Sequence, residues 1–100
     1  MLAVNKNPAV NFGVAADYQY ADFALGNSGD EIVVACGGAI IDKVVYKSGQ
    51  AVLGKAWQLD PGKLDASLND DAAVNWCSAK TAYGTAGKLG TPGKANDACQ

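Results

Sequence analysis

Apolar positions in this chain come in short runs separated by Gly, Asn, Asp and Ser, and almost no segment carries them at helical spacing. That punctuation predicts an all-β domain. Leu2 to Val4 reads as a strand end, closed by Asn5, Lys6, Asn7 and Pro8. Tyr18 and Tyr20 alternate with polar Asp17 and Gln19, a pattern that puts both rings on one side of a sheet. Phe23 and Leu25 repeat the alternation after a phase shift at Ala21 and Asp22.

The clearest local signal lies between residues 26 and 46. Gly26 to Asp30 forms a turn, because Gly and Asn accept positive φ at little cost. Glu31 to Cys36 then reads as a strand buried on both faces. Gly37-Gly38 is a two-residue hairpin turn, and Ala39 to Tyr46 returns as the partner strand. Asp42 and Lys43 fall near its exposed rim.

Beyond the hairpin, Lys47 to Lys55 is a loop. Ala56 to Leu59 is a short strand with Trp57 and Leu59 on one face, ended by Pro61-Gly62. Leu64 to Ala73, mostly Asp, Asn, Ser and Ala, has room for one helical turn. Trp76 and Cys77 re-enter the core. After Tyr83 the chain is Gly-rich and irregular, apart from short pairing near Ala82 and Tyr83. Leu89 to Gly93 reads as a tight turn, with Pro92 fixing φ and Gly93 free to take a positive one.

One hundred residues make one domain, 1–100, and a hydrophobic content of 49% is too high for a disordered tail. The longest apolar run, around Ile32 to Ile41, is broken by Gly37 and Gly38 and falls short of the roughly 20 residues of a membrane span.

The chain has no His and no Arg; all eight basic residues are Lys. No imidazole is present to act as a general base near neutral pH or to bind zinc. No guanidinium fork is present to grip a phosphate. These absences argue against an enzyme. A net charge of −2 argues against nucleic-acid binding, which needs a basic patch.

Asp60, Asp65, Asn69, Asp70 and Asp71 cluster in one loop and are the candidate calcium ligands. Their spacing is not that of an EF-hand. The competing reading is that they cap turns by bonding nearby amides. The Trp and Tyr rings have a similar ambiguity: a sugar-stacking surface, or more simply the core of a small β domain, with Trp57 and Trp76 as its anchors.

The order of these elements resembles the bacterial branch of the lamin-tail domain family. The matching pieces are Gly29 to Val33, then Ile41-Asp42 with Val44 and Tyr46, then Trp57 to Pro61. Leu64 to Ala66, Asn69 to Asp71, Asn75 to Cys77, Tyr83-Gly84, Leu89 to Gly93 and Ala95-Asn96 follow. The likeness covers about Asp17 to Cys99, and the order and spacing of the pieces carry it more than any one of them.

The resemblance implies an immunoglobulin-like β-sandwich in a bacterial secreted or cell-surface protein. The implied role is a non-catalytic structural or attachment module that sits beside other domains or surface polymers. A calcium- or carbohydrate-binding module is the alternative. The family usually opens with strands carrying an Asn-Glu and then a Trp-Ile-Glu-Leu-like segment, and neither is present. The expected sandwich is therefore incomplete, with an irregular Gly-rich C-terminal tail, and open to strand addition from another chain.

Cys36, Cys77 and Cys99 are an odd set. Cys77 and Cys99 flank the Gly-rich tail, and a bridge between them would close a loop of about 22 residues. The alternative is two unrelated thiols. Cys36 is expected as a small apolar core residue, or as partner to a cysteine elsewhere. A bridge points to an extracellular or cell-surface setting, although Met1 to Val4 carries no export signal of its own.

Overall fold

The computed structural model describes Met1–Gln100. Six strands follow one another: β1 (Leu2–Ala3), β2 (Tyr18–Gln19), β3 (Gly29–Cys36), β4 (Ala39–Lys47), β5 (Trp57–Leu59) and β6 (Trp76–Ser78). A single turn of 3₁₀-helix, Pro61–Lys63, is the only helical element. The fold is all-β. The strands form three separate two-stranded sheets: β1 parallel to β2, β3 antiparallel to β4, and β5 antiparallel to β6.

The β3–β4 hairpin forms where the sequence places it. Gly37 and Gly38 both take positive φ, 58° and 80°, the geometry that twists a two-residue turn to match its strands. The ladder runs from Gly29 opposite Lys47 to Cys36 opposite Ala39, with a bulge where Val34 pairs Asp42 but Ala35 pairs Ile40. Ile41 is the extra residue, and the bulge bends the strand beyond it.

Burial departs from expectation. Every residue from Glu31 to Cys36 is exposed, so β3 is not buried on both faces. The cause is the size of the sheet. With only two strands, it packs on the rest of the molecule through Val44 and Tyr46 of β4, 8% and 5% exposed. Ala79 is the third buried apolar side chain, and there is no fourth. Cys36 is exposed with a free thiol, not a core residue.

β2 ends at Gln19, but the Tyr20 amide still donates to the Ala3 carbonyl at 3.0 Å, and the Tyr20 ring stacks face to face on Phe23, with centroids 4.2 Å apart. Tyr18 stays exposed. Between Leu64 and Ala73 one turn closes, where the Asn69 amide donates to the Asp65 carbonyl at 2.9 Å. It does not propagate, because the Asp65 and Asp71 side chains accept from the amides just downstream of them.

The accessible surface is 6777 Å², well above the roughly 5,300 Å² typical of a folded chain of this mass. The radius of gyration, 14.0 Å, likewise exceeds the ~13 Å of a compact 100-residue domain. No helix is long and apolar enough to cross a membrane.

Candidate functional site

Several residues singled out in the sequence meet around the β5–β6 ladder. Its register pairs Trp57 with Ser78, Gln58 with Cys77 and Leu59 with Trp76. Strand alternation then sorts the side chains. Trp57, Leu59, Trp76 and Ser78 share one face; Gln58 and Cys77 share the other.

On the first face the rings gather. Trp57 stacks on Trp76 with centroids 4.5 Å apart, and its other neighbour, Tyr46 of β4, lies at 5.5 Å and a 52° tilt. These contacts join the two antiparallel sheets. The Trp76 indole N–H donates to the Asn69 carbonyl at 2.6 Å, so its polar edge is satisfied. Tyr46 donates its hydroxyl to the Gly26 carbonyl at 2.6 Å, and burial pushes its pKa up. Both tryptophans are half-buried and act on each other first.

On the second face lies the C-terminal tail. Cys77 and Cys99 are bonded, with Cα atoms 5.4 Å apart and a sequence separation of 22. The neighbours of the bridge are held one by one. Gln58 Nε2 donates to the Asp97 carbonyl at 3.1 Å, and Asn96 Nδ2 to the Leu59 carbonyl at 2.8 Å. The Cys99 amide donates to Asp60 Oδ2 at 2.8 Å.

Asp97 is the hub of this tail. Its carboxylate accepts from the Thr81 hydroxyl at 2.5 Å, the Lys80 amide at 2.7 Å and the Thr81 amide at 3.0 Å. These donors, the Thr81 hydroxyl foremost, hold its pKa down to about 2. The sequence reading did not single it out. The only signal was its place directly after Asn96, at the end of the ordered set.

The tail reaches this position through the turn at Thr91, Pro92, Gly93 and Lys94. The Lys94 amide closes it on the Thr91 carbonyl at 3.0 Å, with Gly93 at φ 74°. This is the tight turn the sequence predicts. Gly90, just before it, is buried against the Tyr83 ring.

The loop acids are placed for capping. Asp60 accepts from the Cys99 and Gly62 amides and Asp65 from the Ser67 hydroxyl and amide, and these bonds lower both pKa values. Asp71 accepts from Ala73 and Val74. Asn69 donates to Asp42 Oδ2 at 2.6 Å, tying this loop to β4. Asp70 is exposed. The structure does not gather three or more of these carboxylates into a metal-ligating group. Their spacing along the chain made them neighbours, but the carboxylates of Asp60, Asp65 and Asp71 each engage a nearby turn amide.

Beside the rings runs a cleft of ≈ 400 Å³, lined by Trp57, Trp76, Tyr83, Thr91, Pro92 and Asn96 among others. Lys94 is the only charged side chain in its wall, and no carboxylate faces it. Its chemistry is that of an apolar cleft with a few amide and hydroxyl groups. Comparison with protein-family models, with curated proteins and with solved structures finds no match to this chain.

Proposed function

We propose that this chain is a non-catalytic structural or attachment module of the lamin-tail type, working in a bacterial secreted or surface protein. In this reading the three small sheets are parts of one immunoglobulin-like sandwich. Its rigid end, built from the Trp57–Trp76 pair and the Cys77–Cys99 bridge, carries loops and edges toward neighbouring domains or surface polymers.

The observation that carries the reading is what the residues of the ordered set do. Gln58 Nε2, the Asp60 carboxylate, Asn75 Nδ2, the Trp76 indole N–H and Asn96 Nδ2 all bond to the chain's own backbone, while Gln58 Oε1 is buried without a partner. A constellation used for turnover keeps polar groups free for a substrate. A disulfide is also compatible with an oxidising, extracellular setting.

The test is to fuse the chain to a reporter enzyme and measure retention on purified bacterial envelope polymer. Saturable retention, lost on reduction of the bridge, is the expected result. Turnover across a hydrolase panel that survives stringent repurification would overturn the reading.

A further inference from the structure

The outer edge of β3 is unpaired. No backbone hydrogen bond outside the three ladders reaches any residue from Glu31 to Cys36. The Glu31 amide turns away from β4 and donates to Asp30 Oδ1 at 2.8 Å. By strand alternation, Val33 and Ala35 present their backbone groups on the same outer side. Beside this edge lies a largely apolar trough of ≈ 460 Å³, lined by Leu2, Tyr20, Phe23 and Leu25 together with Glu31, Ile32 and Val33. Val33 and Val34 are 42% and 53% exposed.

The outer edge of β4 is more heavily occupied. Its Lys43 amide is taken by Asp42 Oδ1 at 2.8 Å, as the Glu31 amide of β3 is by Asp30, but its Lys47 amide is taken as well, by Gln50 Oε1 at 2.6 Å. Asn69 and Gln50 also tie the 69–72 loop to this strand. Side chains that occupy edge donors in this way keep another strand from pairing.

We infer that β3 pairs antiparallel with β3 of a second copy of this chain, about a twofold axis at Val33. The register is chosen by charge and apolar matching. Val33 faces itself, Ile32 faces Val34, Glu31 faces Ala35 and Asp30 faces Cys36, so no like charges meet. The equivalent β4 pairing about Val45 would set Lys43 opposite Lys47, two like charges side by side. Area is consistent with a pair. The surface exceeds that of a typical chain of this mass by roughly 1,500 Å², and a standard interface takes about 800 Å² per partner. The second copy also covers the trough, where Ile32 and Val33 otherwise meet water. This pairing goes beyond the attachment reading and does not depend on it.

The test is sedimentation of the chain over a dilution series, with Cys36→Ser to prevent thiol linkage. A species of twice the 10.2 kDa chain mass is expected. Val33→Lys abolishes it, while Val45→Lys keeps it. In the Cys36→Ser background, Val33→Cys cross-links to a covalent dimer on mild oxidation, because the two copies of residue 33 sit about 5 Å apart. This second variant leaves the strand intact and guards against a folding defect in Val33→Lys. A monomer at every concentration overturns the inference. So does a dimer that survives Val33→Lys, is lost with Val45→Lys, or fails to cross-link through residue 33.

Discussion

The Asp60 carboxylate joins the end of β5 to the last residues of the chain: Oδ1 accepts from the Gly62 amide and Oδ2 from the Cys99 amide, each at 2.8 Å. One side chain thus starts the 3₁₀ turn and seats the tail beside the Cys77–Cys99 bridge. Asp97 does the same from the other direction, reaching Lys80 and Thr81 just after β6. Two carboxylates and one covalent bond thus join the amide contacts of Gln58 and Asn96 in holding the tail.

Acid should loosen this end first. The amides of Cys99 and Gly62 lower the pKa of Asp60, and the Thr81 and Lys80 donors bring Asp97 to about 2. Both values lie below the ordinary carboxylate value of about 3.9. The stability these groups supply is therefore complete above that value and is lost as pH falls through it toward about 2. Denaturant midpoints measured across pH should stay level near neutrality and fall on the acid side. Asp97→Asn should reduce that acid-side slope; an unchanged slope would show that the Asp97 bonds do not persist in solution.

Reduction of the bridge should cost about 3 kcal/mol in the chain-entropy treatment of a loop this long. The Cys77→Ser and Cys99→Ser double variant should match the reduced protein, while Cys36→Ser leaves the denaturation midpoint near wild type, because Cys36 is exposed and free. Chemical denaturation with and without reductant measures both effects.

The stacked indoles should be energetically coupled. Trp57→Ala removes contacts with both Trp76 and Tyr46, and a loss of about 3 kcal/mol is expected, at the low end for an aromatic because the ring is only half-buried. A double-mutant cycle of Trp57→Leu and Trp76→Leu should show coupling of about 1 kcal/mol. Additive effects would place the two rings apart.

Gly90→Ala tests close packing at the start of the tail. A Cβ there would lie 2.9 Å from Cε1 of Tyr83 and 3.4 Å from the Ala56 Cβ. The ring must move, at a cost of about 1–3 kcal/mol. Shortening the neighbour with Tyr83→Leu should recover part of the loss, read as a thermal midpoint of the double variant above that of Gly90→Ala alone.

The features legible from sequence were those set by neighbouring residues. Gly37-Gly38 can close a hairpin whatever surrounds it, and Pro92-Gly93 can close a turn for the same reason. Trp57 and Leu59 share a face because a strand alternates. In the 60–71 loop, Asp60, Asp65 and Asp71 accept from nearby amides, the capping geometry that Asp at turn positions favours. Burial was misread because an apolar run such as Ile32 to Val34 states what a strand prefers to cover, not whether anything is there to cover it. The bulge at Ile41 carried no signal, since no Gly or Pro marks it.

Local chemistry alone settled the β class, the tight turns and the β3–β4 pairing, because steric and hydrogen-bonding preferences act over a few residues. Only the assembled chain could assign Asp97 to Thr81 and Trp57 to Trp76, and bring Cys77 within bonding distance of Cys99, the pairing the sequence puts forward. Those contacts join segments far apart in the chain, and their geometry exists only once β5 and β6 have paired and turned their alternate side chains to opposite faces.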